Sequence, residues 1–135
     1  MPQLIVIPPS HVDFAWRDGA SCLADACKLV DEITGDQLKM ILARGERTLI
    51  VMRKDDKNVG WGCIRVDQLP NIRVLHITDL VAPNGHFEEF FAEIKTIAEG
   101  MGCSRVRCSA LPPQARLYKM KCNFLPVYET LEIKI

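Results

Sequence analysis

Arg73-Val74-Leu75-His76-Ile77-Thr78-Asp79-Leu80-Val81 is a β-branched, apolar run that stops at Pro83-Asn84-Gly85. Behind it Phe87, Phe90, Phe91, Ile94, Ile97, Ala98 and Met101 recur at steps of three or four, the spacing of a wide apolar helix stripe. Gly100 and Gly102 close that helix, because glycine accepts the left-handed backbone of a helix C-terminus. Ser104 to Ser109 then reads as a strand. A strand, a helix and a strand in succession predict a crossover, whose two strands lie parallel in one sheet.

The pattern on either side completes the sheet. Residues 3–7 read as a short strand or extended lead-in, broken by Pro8-Pro9-Ser10, with Ser10 placed to cap a helix. From His11 to about Asp31 the pattern is helical but interrupted at Gly19; Ala20, Leu23, Ala24, Cys27 and Leu29 or Val30 recur at helical spacing. After Thr34-Gly35, Asp36 is placed to cap a second helix with Leu38, Ile41 and Leu42 on one face, ending at Gly45. Thr48 to Arg53 and Val59 to Val66 are β-branched runs about the turn Asp55-Asp56-Lys57-Asn58, a hairpin pattern. With Arg73 to Val81 they form an antiparallel meander. Downstream, Leu111-Pro112-Pro113 breaks the chain, Gln114 to Lys121 reads as a short helix, and Pro126 to Ile135 reads as a closing strand. That strand alternates Val127, Glu129, Leu131, Ile133 and Ile135 against Tyr128, Thr130, Glu132 and Lys134. The expected architecture is α/β: a mixed sheet with an antiparallel N-terminal meander and a central parallel β-α-β unit, in one domain spanning 1–135.

Composition narrows the function classes. Lys+Arg and Asp+Glu are both 17 in 135 residues, a balance that argues against nucleic-acid and membrane-surface binding. No apolar stretch approaches the roughly 18 residues of a membrane span. Met1 to Pro9 lacks a basic n-region and breaks at two prolines, unlike a signal peptide. The six cysteines, 22, 27, 63, 103, 108 and 122, contain no C-x-x-C and read as free thiols in a reducing compartment, hence the cytoplasm. Cys103 and Cys108, placed on one strand five residues apart, are expected on opposite faces. His11, His76 and His86 lack ligand spacing with them, so no metal site is expected. The zero sum hides a split: residues 103–135 hold six basic residues against two acidic ones, and residues 83–102 hold Lys95 against Glu88, Glu89, Glu93 and Glu99.

Ala115-Arg116-Leu117-Tyr118-Lys119-Met120-Lys121-Cys122-Asn123-Phe124 resembles a segment of the GNAT superfamily of N-acetyltransferases, A-x-x-L-Y-x-K-x-G-F. Asn123 stands where the family has Gly, and both residues tolerate positive φ. Leu80-Val81-Ala82-Pro83 is similar to the family's V-x-P, and the element order matches along almost the whole chain. The resemblance implies a GNAT-like fold and transfer of acetyl from acetyl-CoA to an amine. It implies Leu80, Val81, Ala82, Asn84, Gly85 and His86 as cofactor-binding positions, with Arg116 and Lys119 near a phosphate. The loop Asn84-Gly85-His86 departs from the family's longer glycine-rich, basic loop. Glu88 and Glu89 there suit the helix dipole but would repel a pyrophosphate. The alternative is a non-catalytic GNAT-like assembly protein with protein partners or as a homo-oligomer. That alternative is similar to small bacteriophage GNAT-like proteins and is placed in the host cytoplasm or the virion.

Acetyl transfer needs a base for the amine and an acid for the leaving thiolate. By resemblance Tyr118 is the acid; a packing aromatic is the other reading. His76 and Asp79 on the central strand are the candidate bases, but simple alternation points them to opposite faces unless a bulge intervenes. Gly60-Trp61-Gly62 places Trp61 either in the acceptor cleft or as an aromatic packed over two glycines. No Ser-His-Asp order, H-E-x-x-H, Walker loop or G-x-G-x-x-G is present.

Overall fold

A computed structural model describes residues 2–83 and 87–135. Asp55 and Asp56, at φ 54° and 62°, make the two-residue turn between β2 (Thr48–Lys54) and β3 (Lys57–Gln68). Positive φ at both central residues matches the right-handed twist of the flanking strands, and Asp tolerates it through its short polar side chain. β3 pairs antiparallel with β4 (Arg73–Val81), and β1 (Gln3–Ile7) pairs antiparallel with β2. β5 (Arg105–Cys108) lies parallel to β4, as the crossover requires, and the sheet order is β1-β2-β3-β4-β5. The lead-in at residues 3–7 is thus a full member of the meander.

Alternation gives the sheet two apolar faces. Leu49 and Cys63 pack with Val12, Ala15, Leu23, Leu38 and Leu42 from α1 (Val12–Arg17), α2 (Leu23–Cys27) and α3 (Gly35–Ala43). Gly19, at φ 119°, separates α1 from the next turn, and the helical stretch ends at Cys27 rather than near Asp31. The cap of α3 is Thr34, not Asp36. The Thr34 hydroxyl accepts from the Gln37 N–H, and the Gln37 side chain accepts from the Thr34 N–H. This reciprocal pair satisfies two backbone donors at once, which Asp36 inside the first turn cannot do. Ser10 likewise makes no side-chain cap.

Ile50, Ile64, Leu75 and Ile77 form the second face under Phe87, Ile94 and Ala98 of α4 (Phe87–Gly100). α5 (Pro112–Cys122) follows β5, and Tyr118 and Cys122 join this second core. Cys103 and Cys108 also lie together there, because β5 starts at Arg105 and the alternation expected between them does not apply. All six cysteines are free thiols.

Asn123 ends α5 at φ 59°, the left-handed turn expected of it. The closing strand expected at Pro126–Ile135 is not in the sheet. Residues 123–135 take no helical or strand pairing, and every residue from Leu125 onward is exposed. Alternation makes these residues competent as a strand but supplies no edge to pair with, and a groove separates them from β5.

Candidate active site

The register between β3 and β4 slips at the middle of β4. Cys63 lies opposite Asp79, whereas Ile64 lies opposite Ile77, so Thr78 is an extra residue on β4. Such a bulge resets alternation. Ile77 therefore faces α4, while Asp79 faces Cys63 and the α1–α3 side, as His76 does through its register with Arg65. The bulge places both candidate bases on one face. Thr78 Oγ1 donates to Asp79 Oδ2 at 2.8 Å and also reaches the Cys63 carbonyl at 3.3 Å. Arg47 Nη1 pairs with Asp79 Oδ2 at 3.3 Å, with both side chains largely buried. A carboxylate bound on one oxygen by both a guanidinium and a hydroxyl is held in place as a structural anchor.

His76 is held differently. Its Nε2 is 2.7 Å from Ser109 Oγ, and its Nδ1 is 3.5 Å from Asp67 Oδ2. Burial, reinforced by the Arg65 guanidinium and opposed by Asp67, lowers its pKa below the usual 6.5. The imidazole is therefore neutral near pH 7. With Nδ1–H towards Asp67, Nε2 is an acceptor for the Ser109 hydroxyl. Ser109 and Asp67 carry no signal in the linear sequence. They become visible only through the pairing of β3, β4 and β5.

Pairing between β4 and β5 runs from Val74–Arg105 to Ile77–Cys108, extended by Ser109 N–H donating to the Ile77 carbonyl. Beyond this point β4 continues to Val81 against β3. Among the described residues no strand pairs with its other edge there, so the sheet splits. Cys108 and Ser109 sit at the apex of the split and diverge to opposite faces: Cys108 joins the α4-side core and Ser109 meets His76. Tyr118 is on the Cys108 side. It packs 5.3 Å (ring centroids) from Phe87 and 6.1 Å from Phe124. Burial, with the Cys108 and Cys122 thiols adding to it, pushes its hydroxyl up to about 12. Tyr118 thus keeps its proton at neutral pH. It lies on the opposite face from His76 and Asp79, and the split separates them.

The remaining expected positions distribute around this gap. Leu80 and Ala82 pack towards the α4 side, and Val81 towards the other. Arg116 and Lys119 are exposed on α5. Asn84, Gly85 and His86 lie outside the described residues. The acidic start of α4 is met by lysines: Glu89 pairs with Lys54 at 2.8 Å and Glu88 with Lys121 at 3.8 Å. Trp61 lies opposite Val81 and packs into the α1-side core. Its ring stands over Gly19, where a Cβ would come within 2.7 Å of it. Gly60 and Gly62 face the other side, against Met52, Ile50 and Leu80, so Trp61 does not cover them. Among the described residues no cluster of His, Cys, Asp and Glu is placed to hold a metal, and no helix is long and apolar enough to cross a membrane.

No family model matches the chain, and no curated protein matches it by sequence. Solved structures do match. A ribosomal-protein-alanine N-acetyltransferase from Brucella melitensis superposes with a TM-score of 0.73 at 12% identity, covering 100% of this chain and 99% of that one. The aminoglycoside N-acetyltransferase AAC(6')-Iy, in complex with CoA, gives 0.68 at 9% identity, covering 100% and 95%. An acetyltransferase of Trypanosoma brucei gives 0.62 at 17% identity, covering all of both chains. The fold is that of the GNAT acetyltransferases.

Proposed function

We propose that this chain is an N-acetyltransferase that moves an acetyl group from acetyl-CoA to an amine at the split between β4 and β5. The observation that carries this reading is the split itself, flanked by a neutral His76 on one face and a protonated Tyr118 on the other. The described residues fit an acyl-thioester arm. The gap offers the apolar Leu80 and Ala82, and beyond Ile77 the edge of β4, unpaired by any strand among the described residues, presents backbone N–H and C=O groups to an amide.

Acetyl-CoA supplies the acetyl group as an activated thioester. His76 Nε2, through the Ser109 hydroxyl or directly, takes the proton that the amine loses as its nitrogen bonds to the acetyl carbon. Tyr118 gives its proton to the departing thiolate as the carbon–sulfur bond breaks; solvent then takes the proton held on His76 and returns one to Tyr118, which restores both residues. Asp67 holds the imidazole in the tautomer this needs, and Asp79, locked by Arg47 and Thr78, fixes the bulge. Lys54 and Lys121 offset Glu88 and Glu89 at the helix start, which lowers the electrostatic objection to a pyrophosphate there. A ribosomal-protein alanine and an aminoglycoside, after the names of two structural relatives, are the test substrates. Calorimetric titration with acetyl-CoA is expected to give saturable heat, and amine-dependent release of free CoA thiol is expected to follow. No heat at millimolar acetyl-CoA would falsify this reading.

A further inference from the structure

Among the described residues, the C-terminal segment carries the longest run of large apolar side chains that the fold leaves uncovered. Leu125, Val127, Tyr128, Leu131, Ile133 and Ile135 are all exposed, Leu131 at 85% and Ile133 at 88%. A contiguous exposed run of this kind marks a contact surface. Thr130 to Ile135 alternates polar and apolar, and Val127 to Ile135 is rich in β-branched residues, the composition of a strand.

The matching edge is β5, the last strand of the sheet, whose outer side pairs with no strand among the described residues. Between that edge and the departing chain lies a groove of about 710 Å³. Its floor is Phe91 and Ala98 of α4, one bank is Ser104–Arg107, and the other is Lys121–Val127. An open edge above an apolar floor is a template for an added strand. The groove is also basic, with Lys95, Arg105, Arg107 and Lys121 against Glu99, whereas residues 127–135 carry Glu129 and Glu132 against Lys134. The charges are complementary.

The chain's own tail is a poor occupant. Residues 124–127 already form the far bank, so a return into the groove requires a chain reversal after them. From Val127 to Ile135 there is no Gly, Asn or Pro to make one. A straight segment of nine residues reaches roughly 30 Å, far enough to leave its own body.

We propose that two copies of this chain exchange their C-terminal segments, residues 127–135 of each entering the groove of the other and pairing with the β5 edge. Leu131 and Ile133 are the anchors, and a two-fold axis satisfies both grooves at once. The proposal stands whether or not acetyl transfer is the activity.

The test uses the full-length chain. Light scattering at tens of micromolar is expected to give a mass of twice 15.2 kDa, and hydrogen exchange is expected to show protected amides across 127–135 and 105–108. The double variant Leu131→Asp/Ile133→Asp is expected to be monomeric and to lose tail protection while its circular dichroism spectrum is retained, because both side chains lie outside the core. A monomer with a protected tail means the segment folds back on its own chain, and overturns the proposal. So does a monomer with an unprotected tail, a dimer whose tail exchanges freely, or a dimer that survives the double variant.

Discussion

Tyr118 and His76 are the two residues to which the proposed transfer gives opposite tasks. Burial among Phe87, Phe124 and the two thiols holds the Tyr118 proton in place. Tyr118→Phe keeps the ring and its packing, so the melting temperature is expected to stay within a few degrees. Turnover is expected to fall by about 100-fold or more, the scale of a lost general acid; a steady-state assay checks both kcat and KM. His76 provides a pH test. Its native pKa lies below 6.5, so the folded chain binds fewer protons there than the unfolded one. Stability is therefore highest above pH 6.5, declines as pH falls through the window between 6.5 and the lowered native value, and levels off below it. Denaturant midpoints measured from pH 8 to pH 5 are expected to show this decline in the wild type and a flatter course in His76→Gln. The acid limb of kcat/KM is expected to disappear in the same variant.

At the level of elements, the decisive feature is one extra residue in β4. Without the slip at Thr78, Asp79 would face α4, and the Arg47–Asp79 pair would be lost to the other side of the sheet. Bulges re-aim side chains at the cost of one ladder step, and here the Thr78 hydroxyl recovers part of that cost through its single proton, given to Asp79 Oδ2 with the Cys63 carbonyl nearby. The helices rest on more local devices. The reciprocal cap of α3 makes Thr34→Ala a clean test: loss of the side-chain acceptor is expected to cost about 1 kcal/mol, read as a lower denaturant midpoint at unchanged m-value.

For the whole molecule, the proposed binding of acetyl-CoA between β4 and β5 needs both strands in place, so it stabilises the folded chain and not the unfolded one. Acetyl-CoA at 100 times its dissociation constant is expected to add about 2.7 kcal/mol and to raise the melting temperature by roughly 5–10 °C. A thermal shift series in acetyl-CoA measures it. The distribution of charge also changes meaning at this scale. The acidic start of α4 is met by Lys54 of β2 and by Lys121 of the basic C-terminal third, through Lys54–Glu89 and Lys121–Glu88, so the local excess of acid is partly cancelled in space.

The parallel β4–β5 pair, the hairpin at Asp55-Asp56, the α4 stripe and the left-handed Asn123 follow from periodicity and turn chemistry, which are local properties of the chain. Tyr118, His76 and Asp79 were legible as residues, but their mutual placement was not. It depends on a register slip between β3 and β4, and register is a property of two strands. Ser109 and Asp67 came to His76 by the same route. The closing segment shows the limit most plainly: alternation over Thr130–Ile135 makes a strand of it, and only the tertiary structure decides whether an edge lies within its reach. A strand's face is written in its own residues, whereas its hydrogen-bond partners belong to another stretch of chain.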